Sequence, residues 1–185
     1  MSKAVLLSTR PRWCEKMVTG EKTDEIRKGR PKVETPFKCY IYETMGLWDF
    51  PILRYLGLAE TIHKLMVGKG KVIGEFVCDK IRPITTENSK EIERTSCVSM
   101  MEMWKYARPR SLYDLKAWHI SQLVIYDKPK KLDAFYKEGT LSCGDFEYKL
   151  YDGSGDPSRS SYASYLNTRA IRRAPQSWCY VEELT

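Results

Sequence analysis

Short apolar runs separated by polar or turn-forming residues dominate the hydrophobic pattern of this chain. Such runs, with alternating or continuous apolar character, are typical of β-strands. They lie at residues 4–8, 37–43, 71–79, 117–126 and 177–182. Apolar residues at helical spacing follow at residues 11–19, in the middle of 45–70 and at 89–108. The pattern predicts an α+β fold in which strands outnumber helices.

The N-terminal part predicts a strand, a helix and a second strand in that order. Thr9 suits the N-cap of the helix, and Pro11 suits its first turn, where a missing N–H is not needed. Trp13 and Met17, at helical spacing, are expected to face inward. Gly20 is expected to end the helix, because glycine adopts a positive φ without a steric clash.

The charged octet at residues 20–27 is predicted to be the second strand. Because side chains alternate along a strand, its residues divide between two faces. One face carries Thr23, Glu25 and Arg27, and the other carries Lys22, Asp24 and Ile26. One interpretation is a charged edge strand that discourages aggregation; the other is a charged face directed at a ligand.

Three later segments contain further structural signals, which concern the faces of a strand, two possible bulges and the end of a helix. In 37–43, Tyr40 and Tyr42 lie on the face opposite the apolar set of Phe37, Cys39 and Ile41. Gly74 predicts a bulge or a close backbone approach within its strand, and a change of phase at Gln122 predicts a bulge. Residues 89–108 predict one helix that ends before Pro109.

Length and composition favour a soluble protein of one domain. The chain has 185 residues, of which 42% are hydrophobic and 30% charged. Insertions between the strands are expected at about 45–70, 86–116 and 138–172, and the last of these contains the least regular pattern. No apolar run approaches the length of a membrane span or of a signal-peptide core, so we expect no membrane association and a cytoplasmic location.

The net charge and the cysteine and histidine content indicate which kinds of partner and ligand to expect. The net charge of +7 favours anionic partners such as nucleic acid. The six cysteines include no Cys-x-x-Cys pair, and the chain has two histidines, His63 and His119. We therefore expect reduced thiols, no structural zinc site and no cofactor. His119, in a predicted strand, is interpreted as a packed residue.

The octet, Gly20-x-Lys22-x-x-Glu25-x-Arg27 after a helix, resembles the Gly-x-Lys-x-x-Glu-x-Arg signature of ASCH domains, members of the PUA-like superfamily. The segments 71–76, 118–121 and 177–181 are similar to later strands of the family. The resemblance implies a single domain over residues 1–185. It also implies a PUA-like β-barrel of five to six strands, with the first helix beside a cleft and with helical insertions.

The resemblance further implies a cleft that binds RNA, another nucleotide-like ligand or a modified nucleoside. Lys22 would meet a phosphate as a point charge, Arg27 would make a forked contact, and Glu25 would hold Arg27 or accept from a base. Tyr42 or Trp118 would stack on a base. The remaining expected contacts are Arg10 at the helix entrance and basic residues that would hold the backbone, namely Lys28, Arg30, Arg169 and Arg173.

Two alternatives stay open. Lys22, Glu25 and Arg27 could form a structural ion-pair network without a ligand.

The protein could also be a small hydrolase with Lys22, Glu25 and Tyr40 as catalytic residues. Some ASCH proteins are amidohydrolases that use a lysine-activated threonine on acylated pyrimidine nucleosides, but here Glu25 occupies the position of that threonine and Thr23 is two residues away. A ribonuclease would use Lys22 with Tyr40 or Tyr42 as acid–base groups. Oligomeric state is left open.

Overall fold

The computed structural model describes residues 3–45, 70–137 and 170–184, which form eight strands and three α-helices. The strands are β1 (Lys3–Thr9), β2 (Asp24–Arg27), β3 (Phe37–Glu43), β4 (Lys71–Cys78), β5 (Ile81–Pro83), β6 (Lys116–His119), β7 (Ser121–Lys130) and β8 (Trp178–Glu182). The helices are α1 (Pro11–Val18), α2 (Ser89–Ser96) and α3 (Met100–Ala107). The helical stretch predicted within 45–70, most of the predicted 138–172 insertion and Arg169 lie outside the described residues.

The strands form two sheets. The larger has the order β7-β4-β3-β1-β8, and the smaller has the order β2-β6-β5. β1 and β3 run parallel with Val5 opposite Cys39, and the other named pairs are antiparallel. The α+β prediction is confirmed. No closed barrel is found within the described ranges, so the predicted barrel is not confirmed.

The first helix begins and ends near the predicted positions. Pro11 occupies its first turn, but the N-cap is Arg10 and not Thr9, because Thr9 is still the last residue of β1. Gly20 has a φ of +77° and its N–H donates to the carbonyl of Met17 at 3.0 Å. Glycine therefore ends α1 as predicted.

The charged octet is a strand only in its second half. The N–H of Lys22 donates to Lys16 O at 2.9 Å, and the N–H of Thr23 donates to Thr95 O at 2.8 Å. These bonds hold the two residues against the ends of α1 and α2 instead of in a strand ladder. The alternation rule therefore does not govern Lys22, whose side chain reaches Glu25 despite the predicted opposite faces.

The predicted strand at 117–126 is two strands in different sheets. β6 pairs with β2 and β5, whereas β7 pairs with β4. Gln122 has a φ of +48° close to the junction. The change of phase in the sequence therefore marks the passage from one sheet to the other.

The predicted helix at 89–108 is also divided. Cys97 is left-handed, with a φ of 57°, and ends α2. Ser99 then caps α3 through a capping box with Glu102. Both helices pack on the small sheet, in an apolar cluster that includes Ile26, Ile92 and Met103. In the described residues no helix has the length and apolar character that a bilayer crossing requires.

Candidate functional site

A cleft of about 980 Å³ opens between α1, β2 and α3. Its walls come from the ends of β1 and β3, the start of α1, β2, the α3 region and residues 174–176. The segment that carries α2 and α3 therefore forms one wall of the cleft. Pockets of this size, with a few convergent polar groups, are typical of ligand sites.

Lys22 lies in the floor of this cleft and is almost fully buried, with 2% of its surface exposed. Its Nζ donates to the carbonyls of Asp24 at 2.8 Å and Ser96 at 2.7 Å. It also lies 3.2 Å from Glu25 Oε2. These three acceptors use all three N–H groups of the ammonium, so the lysine joins β2 to the end of α2.

Glu25 forms the centre of the floor. Its Oε2 faces Lys22, and its Oε1 lies 2.8 Å from Arg27 Nη2. Both partners are buried with it. A buried carboxylate is tolerated where cations of this kind compensate its lost hydration.

Arg27 connects the small sheet to the large one. Its Nη2 donates to Ser8 O at 2.9 Å, and its Nη1 donates to Ser177 O at 3.1 Å. These carbonyls belong to β1 and to the residue before β8. The ion-pair network of Lys22, Glu25 and Arg27, which the sequence left open as an alternative to a ligand site, is therefore present. The same network forms the floor of the cleft.

The rim of the cleft is basic and aromatic. Arg10 and Lys105 are exposed, and Trp13 and Tyr106 also line the cleft. Arg12 Nη2 lies 3.0 Å from Glu102 Oε1, and the Arg12 guanidinium lies 4.2 Å from the centre of the Trp13 ring. The ion pair links α1 to α3 across the cleft.

The structure brings five predicted site residues to the cleft. These are Arg10, Lys22, Glu25, Arg27 and Tyr42. Burial raises the pKa of the Tyr42 hydroxyl. Sequence reasoning missed Arg12, Lys105, Tyr106 and Glu102. The position of Arg12 beside Pro11 was a signal for Arg12, and the Ser99–Glu102 capping box was a signal for the start of α3.

Two predictions are corrected, namely Trp118 as a ring that stacks on a base and Tyr40 as an acid–base group of the cleft. Trp118 is 0% exposed in the core, where its Nε1 donates to Gly29 O at 3.1 Å and its ring lies edge-on to Phe37. Tyr40 is equally buried, and its hydroxyl accepts from Leu184 N at 2.8 Å. Burial also raises the pKa of Tyr40. Neither side chain lines the cleft, because each strand turns its ring into an apolar cluster.

The other predicted basic contacts lie outside the cleft lining. Lys28 Nζ donates to Arg108 O at 3.1 Å and lies 5.0 Å from the centre of the Tyr106 ring. Arg30 and Arg173 are exposed. His119 is partly exposed, unlike the packed residue expected, and its Nδ1 lies 2.7 Å from Asp79 Oδ1.

Metal-ligating side chains do not gather near the cleft. Within residues 3–45, 70–137 and 170–184, no group of three His, Cys, Asp or Glu side chains could hold an ion. The five described cysteines are free thiols.

Comparison with known proteins relates the fold to one family. No protein-family model matches the chain, and no curated protein matches it. The solved structures that resemble it include a tyrosine-to-phenylalanine variant and a serine-to-alanine variant of the ASCH protein from Zymomonas mobilis. The first has 18% identity and a TM-score of 0.50, and the alignment covers 71% of this chain and 78% of that one. The second has the same identity and TM-score, with coverage of 70% and 75%. The described chain has the fold of an ASCH domain.

Proposed function

We propose that this protein binds RNA, with a modified nucleoside as the smaller alternative ligand, in the cleft between α1, β2 and α3. The observation that carries the proposal is the buried Lys22–Glu25–Arg27 floor beneath a rim of exposed cations and aromatic rings. The RNA-binding role that the family resemblance implies adds to it. The PUA-like barrel is part of the proposal, and the bridge between Lys137 and Val181 supports it by bringing the chain after β7 beside β8.

The charges that line the cleft favour an anionic ligand. Five basic side chains face two carboxylates there. Both carboxylates already have cationic partners, since Glu25 pairs with Lys22 and Arg27, and Glu102 pairs with Arg12. The cleft lining therefore has a net positive charge, and at its exposed rim phosphates would meet Arg10 and Lys105.

The aromatic walls suit the bases. Trp13, Tyr42 and Tyr106 line the same cleft. Stacking of a base on such a ring contributes about 1–3 kcal/mol. At the floor, a base edge would meet the Glu25 carboxylate and the Arg27 guanidinium, which the surrounding backbone carbonyls hold in place.

The bonding of Lys22 favours binding over lysine-based hydrolysis. A lysine that activates a threonine must offer a lone pair, whereas Lys22 donates toward three acceptors as an ammonium. Thr23 is not among the residues that line the cleft. In the described geometry Thr23 and Lys22 therefore do not form the nucleophile–base pair that the amidohydrolase alternative needs.

The test is fluorescence anisotropy with labelled single-stranded RNA. Arg10→Ala and Lys105→Ala are expected to weaken binding, and each should reduce the slope of log affinity against log salt by about 1. Lys128→Ala, an exposed charge on β7 outside the cleft lining, is the matched control. Absence of RNA binding by the wild type, or an equal effect of the control, would refute the proposal.

Catalysis is checked in the same preparation. Incubation with N4-acetylcytidine and with the RNA is expected to leave both intact. If the wild type forms deacetylated cytidine or cleaved RNA and a cleft variant does not, the hydrolase alternative would replace the binding proposal.

A further inference from the structure

The solvent-facing side of α3 carries large side chains that the cleft does not use. Met101 is 66% exposed and Trp104 is 51% exposed. With Lys105 and Arg108 they are spaced as i, i+3, i+4 and i+7, so they share one side of the helix, here called the outer face. Met103 and Ala107 face the core instead.

The rings near this face are held by cations. The Arg108 guanidinium lies 3.7 Å from the centre of the Trp104 ring. Lys28 bonds to the Arg108 carbonyl and lies over the Tyr106 ring. An indole ordered in this way keeps one side covered by a cation and leaves half of its surface in solvent.

The outer face is continuous with the cleft. Lys105 belongs to both, and Tyr106, the next residue, lines the cleft. A path from the cleft across α3 therefore passes Tyr106 and Lys105 before it reaches Arg108 and Trp104. Lys28, which contacts the Arg108 carbonyl and the Tyr106 ring, adds positive charge beside it.

The nearest carboxylate on the helix does not cancel this charge. Glu102 pairs with Arg12 and accepts from Ser99 in the capping box. Alternating cations and rings beside a cleft are the surface that single-stranded nucleic acid recognises, because phosphates meet the cations and bases stack on the rings.

We infer that a single RNA strand leaves the cleft over α3 and stacks a base on Trp104. The inference rests on the proposed function and deepens it, because it assigns the ligand to the class of oligonucleotides instead of free nucleosides. The insertion would then supply a second subsite in addition to one wall of the cleft.

The test compares ligand lengths. Anisotropy competition uses a mononucleotide and a single-stranded RNA of about ten nucleotides, a length within the range of known single-strand sites. Trp104→Ala is expected to weaken oligomer binding about tenfold and to leave mononucleotide binding unchanged. Trp104→Phe keeps a stacking ring and should restore most of the affinity. Arg10→Ala, in contrast, should weaken both ligands.

Controls separate this inference from the proposed function. Circular dichroism should show that each variant is folded, and Lys128→Ala should affect neither ligand. If the mononucleotide binds and Trp104→Ala leaves oligomer affinity unchanged, the second subsite is refuted while the cleft proposal stands. The outer face would then be available to a protein partner. If no RNA binds the wild type, both proposals fail.

Discussion

Glu25 Oε1 lies 2.8 Å from Arg27 Nη2 in the floor of the cleft, two residues apart on one strand. Both side chains are buried, and Arg27 also holds backbone carbonyls of Ser8 and Ser177. The pair therefore joins the two sheets at the point where the cleft opens. The same buried contacts would therefore stabilise the fold and hold the two side chains in position for a ligand.

The burial of Arg27 decides what loss of its side chain does to the fold. An exposed arginine that only contacted a ligand could be replaced by alanine with little change in stability. With 5% of its surface exposed, Arg27 cannot be removed without leaving acceptors unpaired. Arg27→Ala should reduce the free energy of unfolding by about 3 kcal/mol, near the lower end for a broken buried pair, because Lys22 still compensates Glu25.

Urea unfolding measures this change, and Arg30→Ala is the control because Arg30 is exposed near the same strand. Arg30→Ala should alter stability by no more than about 0.5 kcal/mol. Equal stability of the Arg27 and Arg30 variants would contradict the structural role of the floor.

The sequence predicted the fold best where local rules decide. Gly20 ends α1 because its φ is positive, and the strand at 37–43 has its predicted bounds because both of its faces are buried against apolar clusters. The signature residues Lys22, Glu25 and Arg27 do converge. Their alternation failed at Lys22, because backbone hydrogen bonds from Lys22 to Lys16 and from Thr23 to Thr95 replace the strand ladder there.

The sequence could not predict which rings reach the cleft. Trp118 and Tyr42 are both aromatic residues of predicted strands, and the sequence pattern does not distinguish them. Only Tyr42 lines the cleft. The difference depends on how the two sheets pack, which is a long-range property. The contribution of α3 to the cleft wall could not be predicted either. The Ser99 and Glu102 capping box, which is present in the sequence, is a local signal only for the start of a helix.

The glycines should differ in their response to alanine. Gly20→Ala should reduce stability by about 1 kcal/mol, because its φ of +77° is strained for a residue with a Cβ. Gly74→Ala should cost more, since a Cβ there would clash with the carbonyl oxygen of Val124 on the neighbouring strand. Gly29→Ala is the matched control, because its position has open space and no positive φ. Thermal unfolding that ranks Gly29→Ala as the most damaging would contradict this order.

The cap of α3 should matter for stability. Ser99 Oγ accepts from Glu102 N at 3.3 Å, and Ser99 N donates to Glu102 Oε2 at 3.2 Å. Ser99→Ala should therefore reduce stability by about 1 kcal/mol and speed hydrogen exchange in the first turn of α3. Ser89→Ala is the control, because Ser89 follows the N-cap Asn88 of α2 and its hydroxyl donates to Thr86 O at 3.0 Å without capping the helix. Unchanged exchange in α3 would show that the cap is dispensable.

The contact between Asp79 and His119 should make stability fall at acidic pH. The hydrogen bond with His119 lowers the pKa of the Asp79 carboxyl from its ordinary 3.8. A carboxyl with a lower pKa in the folded state contributes stability above its unfolded pKa and loses it as the pH falls through the folded value. Both side chains are partly exposed, so the contribution is small. In NMR titration, His119→Ala should raise the Asp79 midpoint; an unchanged midpoint would contradict the pairing.

The described cysteines should differ in their rates of alkylation. Burial raises the pKa of Cys14 and Cys39, and it raises the pKa of Cys78 to about 12. Because the thiolate is the reactive form and these thiols are also shielded, they should react slowly. Cys97 is partly exposed at the end of α2 and should be modified first.

Iodoacetamide treatment near pH 8.5, about the pKa of a free thiol, followed by peptide mass mapping, measures the order of modification. The denatured protein is the control, since its thiols should react at similar rates. Cys97→Ser should remove the fast modification among these four cysteines and leave the slow ones unchanged. If Cys14, Cys39 or Cys78 is alkylated as fast as Cys97 while the protein stays folded, that thiol is not shielded, and the packing of α1 and the large sheet around it is wrong.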